Sequence, residues 1–159
     1  MKNSFQWKGS RLEAVSLLLL FIAYLASLSY VVFFAWNYGS SFGPVGPGGR
    51  NYNLEPFLSI YNISQYSTSL ENPIRILGGN IVLFIPFGFL FPLILERFRK
   101  NKKKTKMLVL IFAAALLSAF IEINQYIFTY RVANVDDVIL NTSGAFIGYI
   151  VYLWYRRSP

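Results

Sequence analysis

Glu122, Asn124 and Gln125 interrupt an otherwise apolar stretch, and Arg131, Asn134, Asp136, Asp137 and Asn141 follow close behind it. Asn80 is a lone amide within an earlier apolar stretch. Together these are the residue types of a proton-transfer or anion-binding site. A buried carboxyl such as Glu122 suits a general acid or base, with Asp137 as its charged partner. Arg131 offers a planar fork for two phosphate oxygens. Asn80, Gln125 and Asn141 could orient a polar head group, and Asp136 adds a further acceptor. A charged side chain at mid-bilayer costs roughly 2.5 to 3.5 kcal/mol on insertion scales, so Glu122 is rarely kept there without a function. With 0 His and 0 Cys there is no imidazole base, thiolate nucleophile, disulfide framework or zinc site of the usual kind. Chemistry has to come from carboxylates, hydroxyls, amides and arginine.

The elements that must position these groups are transmembrane helices. The chain is 55% hydrophobic and only 14% charged, the balance of a membrane protein, and its 159 residues allow a single domain, 1–159, taken up mostly by bilayer spans. Four stretches are long enough to cross about 30 Å of hydrocarbon at about 1.5 Å per residue. They are Ala14–Trp36, Ile74–Leu95, Met107–Phe128 and Val138–Tyr155. The first follows basic residues as a signal peptide would. Its apolar run is too long for a signal core and lacks a small-residue cleavage site, so it is read as a retained anchor. The fold class is an all-α integral membrane protein, a four-transmembrane-helix bundle.

Basic residues set the orientation. Lys2, Lys8 and Arg11 precede the first span, Arg97 to Lys106 carry the dense run between the second and third, and Arg156 and Arg157 follow the fourth. The other connections hold only Arg50, Arg75 and Arg131, among acids. The positive-inside rule then places both termini and the basic loop in the cytoplasm, with a long outer loop between helices 1 and 2. Trp7, Trp154 and Tyr155 on one side, and Trp36, Tyr38, Tyr126 and Tyr130 on the other, are placed as interfacial belts. The net charge of +8 is explained by this topology. Its expected partner is anionic inner-leaflet lipid at Arg97–Lys106, not nucleic acid.

Helix geometry brings the polar groups to one level. Asn80 and Glu122 each fall about 9 Å below the outer end of their spans, with Gln125 a turn higher. On the third span Ala115, Ser118, Glu122, Gln125 and Thr129 form one stripe at steps of three and four. On the fourth, Asp137, Asn141, Gly144 and Gly148 do the same, and the glycines form a small-xxx-small surface for close helix approach. Asp137 is therefore the inward carboxylate, while Asp136, turned by about 100°, faces the outer loops or Arg131. Every strongly polar span residue falls in the outer half. Pro86 and Pro92 each remove a backbone hydrogen bond and predict a kink that opens space beneath Asn80. In the outer loop, the Gly/Pro run 43–49 excludes regular structure. Asn53 to Tyr61 suits a short element on the membrane surface.

The segments Asn53-Leu54-Glu55-Pro56-Phe57, Asn80 to Gly88, Glu122-Ile123-Asn124-Gln125 and Arg131 to Asp137, leading into Asn141 to Gly144, resemble the VanZ-like family in order and spacing. The resemblance covers most of the chain. It implies a small bacterial membrane protein, associated through the named member with resistance to the glycopeptide teicoplanin. Two positions depart from the pattern: Asn134 stands where an Asp is usual, and Ala145 where a second Gly is common. The first removes a carboxylate near Arg131 and weighs against a metal there.

Each polar residue also has a structural use. Asn134 can cap the fourth helix, with Asp137 reaching back as the acidic member of a capping box. Asn80, Gln125 and Asn141 can be interhelical glue worth about 1 kcal/mol each. A protonated Glu122 can donate a structural bond to Asn80 or Asn141. Three functional readings follow. The first is binding or modification of an outer-leaflet lipid-linked substrate, a cell-wall precursor or other envelope lipid. The second is a non-catalytic lipid-binding or complex-forming envelope protein. The third, weakest because the cytoplasmic half offers no polar path, is a small proton-coupled carrier. A divalent cation on Glu122, Asp137 and amide oxygens lacks any dedicated ligand spacing, so no metal and no cofactor is expected. The expected location is the bacterial cell membrane, as a multi-pass protein.

Overall fold

The computed structural model describes residues 11–35, 51–67, 69–99, 103–129 and 131–157. The Gly/Pro run 43–49, the basic residues Lys2, Lys8, Arg50, Lys100 and Lys102, and the aromatics Trp7, Trp36, Tyr38 and Tyr130 lie outside them. Four helices are long and apolar enough to cross a membrane: Arg11–Phe33, Ile74–Phe98, Met107–Phe128 and Val135–Arg157. We label α1 Arg11–Phe33, β1 Tyr52–Asn53, α2 Leu58–Tyr66, α3 Glu71–Pro73, α4 Gly79–Phe98, α5 Met107–Phe128, β2 Ala133–Asn134 and α6 Val135–Arg157.

The third span coincides with its expected limits, and the fourth begins three residues before them because Asn134 caps it. The second continues three residues past Leu95, which takes Glu96 into the helix. A two-residue parallel ladder, Tyr52 with Ala133 and Asn53 with Asn134, departs from the all-helical expectation and ties the first long connection to the start of α6. A short helix, α2, lies where a short element was expected near Asn53–Tyr61, and it has no buried residue.

Packing density differs sharply among the helices. Beyond its first turn α1 is strongly apolar yet buries only Leu28 and Val32, so most of its surface is left for lipid. α4 and α6 form the tight pair. A Cβ on Gly144 would overlap the Ile81 carbonyl oxygen, one on Gly148 the Ile85 carbonyl oxygen, and one on Gly88 the Ala145 carbonyl oxygen. The small-residue surface of α6 therefore meets backbone, not side chain, and Gly88 supplies the gap opposite Ala145. Around this seam Phe84, Phe87, Leu110, Ala114 and Tyr152 complete the core.

α4 stays helical through Pro86 and Pro92. Its departure from regular winding falls upstream, in a π-helical turn at Ile74–Gly78 immediately before Asn80.

These contacts separate the glycines by role. Gly148→Ala should lower stability by about 1 to 3 kcal/mol through overpacking. Gly78→Ala, where a Cβ meets nothing within 4 Å, should be neutral or stabilising by up to about 1 kcal/mol. Thermal unfolding midpoints in detergent check the pair.

Candidate functional site

The segment Asn53 to Phe57 folds on its own polar groups before it meets the bundle. Asn53 Oδ1 accepts the Glu55 N–H at 3.0 Å, an Asx-type turn, and its Nδ2 donates to Ser59 Oγ at 2.9 Å and Asn134 Oδ1 at 3.1 Å. Pro56 then leads into Phe57 at φ 68°, a left-handed conformation that costs a bulky residue on the order of 1–3 kcal/mol. The bend turns three N–H groups at the start of α2 onto one carboxylate. Phe57 N–H donates to Asp136 Oδ1 at 2.5 Å, and Ser59 and Ile60 N–H donate to Oδ2 at 2.8 and 3.1 Å. A helix start leaves such donors unpaired and favours negative charge, so this fully buried carboxylate offsets the strain.

Asn134 is the next junction. Its Oδ1 accepts the Asp136 N–H at 3.1 Å, which makes it the cap of α6, and its Nδ2 donates to Asp137 Oδ1 at 3.3 Å. The backbone N–H that Asp137 was expected to reach is taken by Glu122 of α5, with Oε2 at 2.8 Å. Glu122 thus completes the capping box from a neighbouring helix, and the bond expected from Glu122 to Asn80 or Asn141 is replaced by this one. Asp137 turns to the interior instead.

There, a cavity of about 230 Å³ opens among α1, α4, α5 and α6, lined by Glu122, Asp137, Asn80, Gln125 and Asn141, with Arg75 and Arg131. Glu122 is 7% exposed and interacts electrostatically with Asp137 and Arg131. Gln125 Nε2 donates to the Val32 carbonyl at 2.8 Å. Arg131 Nη1 donates to the same oxygen at 2.5 Å and Nη2 to the Ala35 carbonyl at 2.6 Å. These bonds fasten the end of the sparsely buried α1 by satisfying terminal carbonyls. Burial lowers the pKa of the Arg131 guanidinium, and Glu122 opposes that shift.

Two cavity-lining atoms have no hydrogen-bond partner among the described residues: Asn80 Nδ2, a donor, and Asn141 Oδ1, an acceptor. Asn80 Nδ2 faces the Asp137 carboxylate closely enough to interact with it but outside normal hydrogen-bond geometry, and Asn141 uses its own Nδ2 on Ser118 Oγ at 2.8 Å. Both residues are at least nine-tenths buried. An unmet buried polar atom costs about 1–3 kcal/mol, so this pair fits a guest carrying both an acceptor and a donor.

The structure therefore gathers Asn80, Glu122, Gln125, Arg131, Asp137 and Asn141 around one space. Asp136 does not line it; that carboxylate faces the segment Phe57 to Ile60 between α1 and α4, and Arg131 is not its partner. The α5 stripe is buried at Ser118, Glu122 and Gln125, with Ala114 in place of Ala115. Among the described residues no group of three or more acidic side chains is placed to hold a metal ion.

Two residues escaped the sequence reading. Arg75 lines the cavity from an exposed position, which puts it at the mouth. It and Asn80 are five residues apart, a spacing that α winding separates but the π turn, with its i→i+5 ladder, brings onto one side. Glu96 overturns the expectation that polar span residues occupy only one half. It is 2% exposed at the far end of the bundle, bonded by the Tyr152 hydroxyl and by Arg156 Nε at 3.2 Å. Placing the end of the span at Leu95 hid it.

The fold and cavity define a helical multi-pass membrane protein with a buried acid–amide cluster at one end of its bundle. The chain belongs to the family described as VanZ/LLP1, whose model matches residues 21–156. It is also similar to Protein VanZ of Enterococcus faecium, 34% identical over 107 residues, which are 64% of this chain and 60% of that protein. The chain therefore spans less than two thirds of this curated relative. No solved structure matches.

Asp136→Ala should free the start of α2, since three N–H groups lose their acceptor at about 1–3 kcal/mol for each left buried. Hydrogen exchange should quicken at Phe57, Ser59 and Ile60 while α5 is unaffected, and Asp136→Asn, which keeps one acceptor oxygen, should fall between.

Proposed function

We propose that this chain is a multi-pass protein of the bacterial cell membrane that binds, and through Glu122 and Asp137 modifies, the head group of a lipid-linked envelope substrate. The observation that carries this reading is the unmatched Asn141 Oδ1, with Asn80 Nδ2 only loosely engaged by Asp137, inside a cavity that also holds two acids and two guanidinium groups. The basic flanks support an orientation with the cavity end toward the outer leaflet and with Arg97–Lys106 against anionic inner-leaflet lipid. In that orientation both termini are cytoplasmic and the connection from α1 to α4 is external.

The residues divide the work by what they already contact. Arg131 has two donors on α1 and retains others for a phosphate oxygen. Arg75, with no side-chain partner among the described residues, provides the entering charge at the mouth. Gln125 and Asn141 orient the guest, and Glu122 exchanges a proton with it while Asp137 balances the charge. An altered envelope lipid would connect this activity to teicoplanin resistance, the association carried by the family resemblance.

A second reading, binding without chemistry, is favoured by one fact: Glu122 and Arg131 both make structural bonds already. The carrier reading gains a polar group in the other half of the bundle, at Glu96. It remains the weakest because Phe84, Leu110 and Ala114 are fully buried between the two clusters.

Envelope lipids and precursors compared in cells with and without the protein should reveal the substrate as the species that changes. Glu122→Gln keeps an acceptor for Asn134 and should retain lipid binding while lowering conversion by about 10²-fold or more. Full conversion by that variant selects binding without chemistry. Arg75→Ala should fold normally and weaken head-group binding by roughly 10- to 100-fold, the scale of a lost charged hydrogen bond.

A further inference from the structure

Glu122 belongs to two spaces at once. Besides the polar cavity, it lines a groove of about 670 Å³ on the opposite side of the α5–α6 seam, where the remaining walls are nearly all hydrocarbon. Ala119, Ile123 and Ile127 of α5 form one wall and Val138 of α6 the other, with Tyr52 and Leu54 closing the end nearest β1. The volume lies within the ~300–1,000 Å³ of small-molecule sites. Ile123 and Ile127 are 57% and 44% exposed on a helix long enough to cross a membrane, so the groove opens to acyl chains and not to water.

We propose that this groove seats one hydrocarbon chain of a membrane lipid, whose polar end meets Glu122 at the bond to Asn134 that closes the seam. Lipid then loads the polar cavity sideways from its leaflet. The inference rests on the reading of the cavity as a head-group site and adds the class of ligand: an amphiphile with a separable chain and head. Three observations select a chain over a second copy of the protein. The walls offer almost no polar group for another helix to match. The small side chain of Ala119 deepens the groove along α5 instead of flattening it. The acid at its floor is shared with a space that contains an unmet acceptor, Asn141 Oδ1, and a loosely engaged donor, Asn80 Nδ2, which a head attached to the chain would satisfy and a lipid-facing helix would not. Tyr52 and Tyr126, edge to face at 6.0 Å, sit at the closed end where interfacial aromatics belong.

The test uses the full chain in vesicles of phosphatidylethanolamine and phosphatidylglycerol containing a trace of phospholipid with a diazirine at mid-chain. After irradiation, adducts are mapped by mass spectrometry. Adducts should concentrate at residues 119–127 and 135–138, severalfold above Leu108, Phe112 and Leu116, which are as exposed on α5. Ala119→Phe should reduce them severalfold, and Leu116→Phe should not. The wild-type map needs no variant to fold: labelling that follows exposure along α5 overturns the proposal, as does a groove free of adducts whose Ile123→Cys forms a disulfide between copies. Labelling as expected, with Arg75→Ala leaving head-group binding intact, keeps the chain seat and removes the head-group reading.

Discussion

Everything at the site end of the bundle hangs on where the Asn134 backbone N–H goes. Given to Glu122, it links α5 to the start of α6, fixes the height of the acid and leaves Asp137 free to face inward. The Asn134 side chain extends the same junction to Asn53 and the first turn of α6. A helix cap is usually a local matter of one chain segment; here the acceptor comes from another helix, so helix termination and interhelical packing become one interaction. That is also a sufficient structural reason for a carboxyl to be held below the end of a span, and it is compatible with reactivity because the other carboxyl oxygen is not needed for it.

The α4–α6 seam sets the frame within which that junction works. Backbone-to-backbone contact at Gly88, Gly144 and Gly148 leaves little freedom for the two helices to slide, so Asn80, Asp137 and Asn141 keep their relative heights. α1 is the opposite case, held to the rest largely through Tyr24 on the Leu83 carbonyl and through Gln125 and Arg131 on its last carbonyls. A rigid pair carrying the amides and acids, beside a helix fastened at its end, is a sensible construction for a cavity that must admit a guest.

What could be read in advance follows a physical rule. Side chains that repeat at helical steps announce their face, so the Ser118–Glu122–Gln125 stripe, the Asn141–Gly144–Gly148 stripe and the common depth of Asn80 and Glu122 were legible. Backbone groups leave no trace in the letters. The Asn134 N–H, the three donors gathered by Asp136 and the Val32 and Ala35 carbonyls that receive Arg131 were therefore invisible, although they decide what each acid and guanidinium does. A turn of about 100° pointed Asp136 toward the outer loops or Arg131, but nothing in the sequence revealed that Phe57 would adopt a left-handed backbone to reach it. Arg75 was hidden by an irregular turn, and Glu96 by a boundary drawn one residue short of it.

The π turn at Ile74–Gly78 works as a phase shifter in an otherwise regular rod. It holds one residue more than the ladder around it requires, so removing a single residue would let ordinary winding resume and swing the preceding segment by about 100°. Arg75 would be carried away from the entrance while Asn80, downstream, stayed put. Length variation of one residue at this point would therefore decide which side chain guards the opening, leaving the frame beneath it unaltered.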